Sequence, residues 1–174
     1  SGIGEACAIA FARAGAQLVL SARRAEELVR VAALCTGAPP PHILPLDLTR
    51  PQEFAPATAA VLARFGQIDV LVNNGGVGER ALAKDTLPAI ERAVMEVNYF
   101  GAVGLTKAVL PILLAHRSGS IVAVSSVMGY VGVPGAPPTP PPSTPCAAGS
   151  TPCAPRSSRG GSTSASFVPV TWRQ

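Results

Sequence analysis

Short apolar segments alternate along the chain with longer segments whose apolar residues recur at helical spacing. The last two apolar segments show no polar alternation, as expected for strands covered on both faces of a sheet. Strands that alternate with helices predict an α/β fold with a doubly wound parallel sheet. The predicted strands are Gln17–Ser21, His42–Leu48, Ile68–Asn74 and Ser120–Ser126, and the predicted helices are Gly4–Ala14, Ala25–Cys35, Gln52–Phe65 and Leu87–Ala115.

The first residues read "SGIGEACAIAF", a glycine turn that leads directly into a helix with no strand before it. We therefore expect an incomplete sheet that lacks its central strand. Such a gap would leave an unpaired strand edge and an exposed apolar face. No apolar run looks long enough to cross a bilayer, and no signal-peptide pattern is present.

The end of the chain differs in composition from the rest. Ten of the eighteen prolines lie from Pro134 onward, among many Ser, Thr and Gly residues. Proline lacks the N–H that a strand ladder needs and breaks helices. These features predict a sheet domain over residues 1–134 and a disordered, Pro/Ser/Gly-rich tail over residues 135–174 that packs poorly.

Charge and cysteine content narrow the possible partners. The net charge is +4, of which three arginines in the tail supply +3 and the remaining residues +1. So weak a basic balance does not favour a nucleic-acid partner, because phosphate binding grows with the number of neutralising contacts. The four cysteines match no zinc or disulfide spacing, which predicts reduced thiols and no metal site.

Five short motifs follow one another along the chain: "SGIG", "LPLDLT", "DVLVNNGG", "VNYFG" and "IVAVSS". In this order they resemble the short-chain dehydrogenase/reductase family from residue 1 to about Pro134, and they imply its Rossmann fold. "SGIG" alone would be weak evidence, since small residues also begin ordinary helices. Glycine at this turn lets the helix N-terminus approach a pyrophosphate closely.

The resemblance assigns roles to individual residues. Three of the residues concerned also have a plainer interpretation. Asn74 could be a turn former, Asn98 could face solvent, and Ser126 could be a cap. The implied cofactor-binding residues are Ser1, Gly2, Ile3, Gly4, Asp47, Leu48, Asn74, Gly75 and Gly76, where Gly75 replaces the alanine of the family pattern. The implied catalytic residues are Asn98, which helps to hold a water, and Ser126, which hydrogen-bonds the substrate oxygen.

The segment "SARR", Ser21–Arg24, bears on the choice of cofactor. An enzyme that prefers NAD places an acid at the end of this strand to hold the ribose 2′-hydroxyl, and here the first acid is Glu26. Arg23 and Arg24 could instead pair with a 2′-phosphate through charge-assisted hydrogen bonds. We therefore expect NADP(H), the alternative being that both arginines are simply solvated.

One subgroup of the family shares the phrases "LVLSARR", "VLVNNGG" and "LTKAVLP". Its resemblance implies an oxidoreductase acting on small lipophilic carbonyls or alcohols such as steroids and retinoids, and permits homo-oligomers. It also implies attachment to the endoplasmic-reticulum membrane, although no anchor segment is recognisable in this chain.

The proton-transfer pair of the family, Tyr-x-x-x-Lys, has no counterpart. Thr139 and Ser143 occupy the expected positions, and neither lysine of the chain follows a tyrosine by four residues. Shifted by one frame, the codons of Pro137–Cys146 would permit the family's active-site segment, so we interpret the tail as an altered reading frame and expect no catalysis. The alternatives are a non-catalytic nucleotide-binding or dimerisation module, and a Pro-rich ligand for SH3-like or WW-like domains through "PPTPPP".

Overall fold

The computed structural model describes residues 2–78 and 85–125 in full, and residues 165–169 as backbone. Five strands form a single sheet in the order β2-β1-β5-β3-β4, and every pair of neighbours is parallel. The strands are β1 (Gln17–Ala22), β2 (His42–Pro45), β3 (Val70–Asn73), β4 (Ser120–Ala123) and β5 (Ala165–Pro169), and the helices are α1 (Ile3–Arg13), α2 (Ala25–Leu34), α3 (Phe54–Phe65), α4 (Pro88–Met95) and α5 (Ala102–His116).

Two apolar clusters cover the two faces of this sheet. Val19 and Leu71 lie in the cluster that includes α3 and α5. Leu18, Leu20 and Val72 lie in the cluster that includes α1 and α2. Successive residues of a strand point to opposite faces, so this alternation shows helices packed on both sides. The α/β fold class with a doubly wound parallel sheet is therefore confirmed.

The central position of the sheet is occupied, contrary to expectation. The strand β5 pairs with β1 over five residues and with β3 over two, at Val70 and Leu71. Part of the segment predicted to pack poorly thus completes the sheet. Sequence reasoning missed it because "ASFVP" is short, lies in a Ser/Gly-rich context and ends in a proline. The rest of the tail, residues 135–164 and 170–174, lies outside the described residues, as do Ser1 and Ser126.

The helical region before β4 is longer than a typical core helix. Pro88–His116 forms 29 continuous helical residues with a mean hydropathy of 1.5 over its most apolar window, 28% of which is buried. By length and composition it could span a membrane, so the expectation that no such run exists was wrong. Charged residues near the start of this helical region interrupt its apolar pattern, so the sequence does not read as a membrane-spanning run. Here Leu105 and Val109 are buried against the sheet, as in the core helix of a globular domain.

Candidate cofactor-binding site

The segments that follow β1, β2 and β3 lie at one edge of the sheet, because the carboxyl ends of parallel strands share an edge. Only three residues separate the end of α1 from the start of β1, so α1 runs back along the sheet and its N-terminus reaches the same edge. In open α/β sheets, ligands bind in the crevice outside the carboxyl ends of the strands. The motif residues therefore converge where a cofactor would lie.

The N-terminus of α1 allows a ligand to approach the backbone closely. Gly2 precedes the helix at φ 66°, a positive φ that favours glycine, and none of the described side chains caps the helix. Gly4 is buried and Ile3 is exposed. The first N–H groups of a helix have no partner within it and carry a partial positive charge. These features suit an anion, and the assignment of Gly2, Ile3 and Gly4 to a cofactor stays a prediction.

An acidic residue in the first turn of α1 is neutralised by its neighbour. The Glu5 carboxylate accepts hydrogen bonds from two nitrogens of Arg30, on α2, at 2.7 and 3.2 Å. The hydrogen bond from Arg30 is the largest cause that lowers the pKa of Glu5 to about 2. The ion pair ties α1 to α2 and offsets a negative charge that would otherwise repel an anion at the helix N-terminus.

Arg23 follows β1 and Asp47 follows β2, close enough for the charge of Arg23 to act on the Asp47 carboxylate. The N–H of Leu46 donates to the carbonyl of Ala22 at 3.1 Å, which extends the ladder to this point. Burial opposes ionisation of Asp47, but hydrogen bonds from the N–H and hydroxyl of Thr49, both 2.9 Å, and the charge of Arg23 lower its pKa overall. Asp47 is therefore a fixed carboxylate beside an exposed arginine.

The strand β3 ends in an asparagine that fixes the neighbouring helix. Asn73 is buried, and its side-chain amide donates to the hydroxyl of Thr106, on α5, at 3.0 Å. Asn74, Gly75 and Gly76 follow, all partly exposed. The buried Asn73 thus sets the direction in which the loop leaves the sheet, while the three predicted cofactor-binding residues remain accessible.

The side chain of Asn98 holds this loop through backbone groups of Val77. Its side-chain oxygen accepts from the N–H of Val77 and its amide donates to the carbonyl of Val77, both at 2.8 Å. The interpretation of Asn98 as solvent-facing is therefore wrong. Asn98 lies in a π-helical segment, Glu96–Gly101, between α4 and α5. A π-helical turn inside an α-helix often marks a functional site.

Three contacts of the site were not expected from the sequence. Val77 contributes only backbone atoms, which no motif reveals. Thr106 is a common residue, and only the fold pairs it with Asn73. Gly101 packs closely against Leu48, and the glycine of "VNYFG" was the one available signal for that contact. The assignment of Ser126, and of the positions at Thr139 and Ser143, falls outside the described residues, and the roles of the other site residues stay predictions.

The arrangement defines the chain as a nucleotide-binding type of α/β domain: a parallel sheet, a glycine-led helix N-terminus and polar loops at one edge. Comparison with known proteins specifies the family. The family model for short chain dehydrogenases matches residues 1–138. The chain belongs to this family.

Individual relatives give the same result. The human protein dehydrogenase/reductase SDR family member 7 is 46% identical over 139 residues, and mouse member 7B is 41% identical over 139 residues. Each alignment covers 77% of this chain, but only 41% and 43% of the relative. A metagenomic short-chain oxidoreductase in complex with NADP has a similar structure, with a TM-score of 0.70 and 33% identity over 78% of this chain and 62% of that one. The chain thus spans about two fifths of the length of these curated relatives.

Proposed function

We propose that this chain is the NADP(H)-binding part of a short-chain oxidoreductase. The observation that carries the choice of cofactor is the exposed Arg23 at the carboxyl end of β1, close enough to lower the pKa of Asp47. Among the described residues that follow β1 directly, the first acid is Glu26, on the outward side of α2. An arginine directly after β1, with no acid at the strand end itself, favours a 2′-phosphate over a free 2′-hydroxyl.

Each part of the edge has a proposed task. The first N–H groups of α1, around Gly2 and Gly4, would hold the pyrophosphate, and Arg23 and Arg24 would pair with the 2′-phosphate. Asp47 and Leu48 would contact the adenine. NADP(H) supplies the hydride of the family reaction when it is bound. Asn74–Gly76 would line the nicotinamide side, with Asn98 holding that loop in place.

The reaction of the whole protein is part of the proposal. By resemblance to member 7 and 7B proteins, the substrate is a small lipophilic carbonyl or alcohol, and the protein is associated with the endoplasmic-reticulum membrane. Ser126 would hydrogen-bond the substrate oxygen. Because the sequence contains no Tyr-x-x-x-Lys, we propose that the chain as written binds the cofactor without turning over a substrate.

A titration with NADPH and NADH tests the cofactor assignment. We expect Arg23→Ala to weaken NADPH binding about tenfold, since a hydrogen bond to a charged group contributes about 1.5–3 kcal/mol. Binding of NADH, which lacks the 2′-phosphate, should hardly change. Arg13→Ala is a matched control, because it removes the same charge at the exposed C-terminal end of α1, at the opposite edge of the sheet. Equal effects of both variants on NADPH would contradict the proposal.

Turnover is tested separately, by NADPH consumption with steroid, retinal and quinone carbonyls. We expect no consumption above the rate without protein. Fast consumption by the 174-residue chain would show that another group donates the proton, and the proposed lack of catalysis would be wrong. The cofactor assignment would not be affected by that result.

A further inference from the structure

Gly101 lies where the π-helical segment passes over the loop that follows β2. A Cβ atom built on Gly101 would lie 2.6 Å from the carbonyl oxygen and 2.7 Å from the Cβ of Leu48. The backbone of Gly101 is helical, with φ −62°, so alanine is compatible with its conformation. The requirement for glycine therefore comes from the contact with Leu48 and not from the backbone.

The same π-helical segment also holds the loop that follows β3. Asn98, three residues before Gly101, bonds both backbone groups of Val77. A Cβ atom on Gly76 would lie 3.4 Å from the Asn98 side-chain oxygen, which shows how closely this loop approaches. One helical turn thus contacts the loop of Leu48 at one end and the loop of Gly76 and Val77 at the other.

We infer that Gly101 is a positioning residue that sets the distance between the adenine-side loop at Leu48 and the nicotinamide-side loop at Val77. This inference rests on the proposed function, which assigns the two loops to the two ends of NADP(H). A dinucleotide is two linked ligands, and the gain from linking depends on the spacing of the two subsites. A larger residue at 101 would displace the segment from Leu48, and Asn98 would carry Val77 with it.

Hydrogen exchange at the Val77 amide tests this link without any ligand. In Gly101→Ala we expect exchange to rise about tenfold, because the hydrogen bond that protects the amide is held by the displaced segment. Gly104→Ala is the matched control: its Cβ would meet the Phe54 ring at 2.7 Å, an equally close contact on the same helical stretch, but with a different element. A general loosening of the helix would raise exchange in both variants, and that result would overturn the inference.

Binding of a whole and a half ligand tests the consequence. We expect Gly101→Ala to weaken NADPH binding about tenfold and adenosine 2′,5′-bisphosphate binding less than about threefold, since only NADPH must reach both loops. A parallel loss for both ligands would assign Gly101 to local packing at Leu48 and overturn the inference. If the unmodified chain binds neither ligand, the proposed function is wrong, whereas the exchange experiment still reports on the contact itself.

A measurement on the unmodified chain covers the case in which Gly101→Ala does not fold. Adenosine 2′,5′-bisphosphate would bind at Leu48 and contact no atom of Val77. We expect this ligand to slow hydrogen exchange of the Val77 amide in the unmodified chain. It should have no such effect in Asn98→Ala, which lacks the side-chain hydrogen bonds to Val77. Bound ligand with unchanged Val77 exchange would overturn the inference.

Discussion

Replacing Asn98 by alanine removes both hydrogen bonds to Val77 in one step. Each is 2.8 Å long and partly buried. A hydrogen bond contributes about 0.5–1.5 kcal/mol net, and a buried group left without its partner costs more. Because water can reach a partly buried site, we expect the free energy of unfolding to fall by about 2 kcal/mol, measured by urea denaturation.

Replacing Asn98 by aspartate tests the two hydrogen bonds to Val77 individually. A carboxylate can still accept from the N–H of Val77, but its second oxygen then faces the Val77 carbonyl, and two acceptors repel. We therefore expect Asn98→Asp to be at least as destabilising as Asn98→Ala at neutral pH, and to recover stability in acid, where the protonated carboxyl can donate.

A weak amide contact provides the control. Gln17 donates to the carbonyl of Pro40 through a long, solvent-exposed hydrogen bond of 3.5 Å, so Gln17→Ala should change the free energy of unfolding by less than about 0.5 kcal/mol. If Asn98→Ala is equally mild, or if Asn98→Asp matches the unmodified protein at neutral pH, the bonds to Val77 do not hold the loop and the argument fails.

Further predictions concern stability. Glu5 has a pKa of about 2 in place of 4.5, so the unfolded chain takes up its proton first, and stability should fall as pH drops below about 5; Glu5→Gln or Arg30→Ala should flatten that slope in acid denaturation. Thr58→Val should raise the thermal midpoint, because the buried hydroxyl has no hydrogen-bond partner in the described structure. Gly119→Ala should destabilise by about 2 kcal/mol or more, since φ is 126° and a Cβ would meet a side chain at 2.6 Å and a carbonyl oxygen at 2.9 Å; unchanged urea midpoints would contradict this. Val168→Pro should weaken the sheet by removing an N–H from the central strand, and an unaltered melt would argue against the pairing of β5.

The strands and helices on either side of the site were predictable because their apolar patterns are strong. Every predicted helix and strand is present, and most boundaries agree within two residues. The largest boundary errors are at the end of β2, at Pro45 instead of Leu48, and at the end of β4, at Ala123 instead of Ser126. The N–H of Leu46 still bonds the carbonyl of Ala22, and Leu48, two residues further, is buried outside the strand, so the apolar pattern continued after the strand had ended. Burial, which a sequence pattern reports, is not the same as strand pairing.

The features that the sequence did not reveal depend on contacts between distant segments. The π-helical segment and α4 read as one uninterrupted helix, because their apolar spacing hardly differs from that of an α-helix. The hydrogen bonds between the Asn98 side chain and the Val77 backbone join residues that lie 21 positions apart in the sequence. The strand β5 is separated from β4 by more than 40 residues and pairs with strands from the first half of the chain. Local pattern carries no information about such partners.

The charged groups that the structure brings together at the sheet edge are suited to holding an anion. General acid catalysis at neutral pH needs a group whose pKa lies near 7. The pKa of Asp47 is lowered by its bonds from Thr49 and the charge of Arg23, so it stays ionised, and arginine side chains do not release a proton. Burial and the charge of Arg64 lower the pKa of His42, but His42 begins β2 and so lies at the opposite edge of the sheet. Asp47 and the arginines at this edge can therefore hold an anionic ligand, but neither kind of group is suited to donate the proton of a carbonyl reduction.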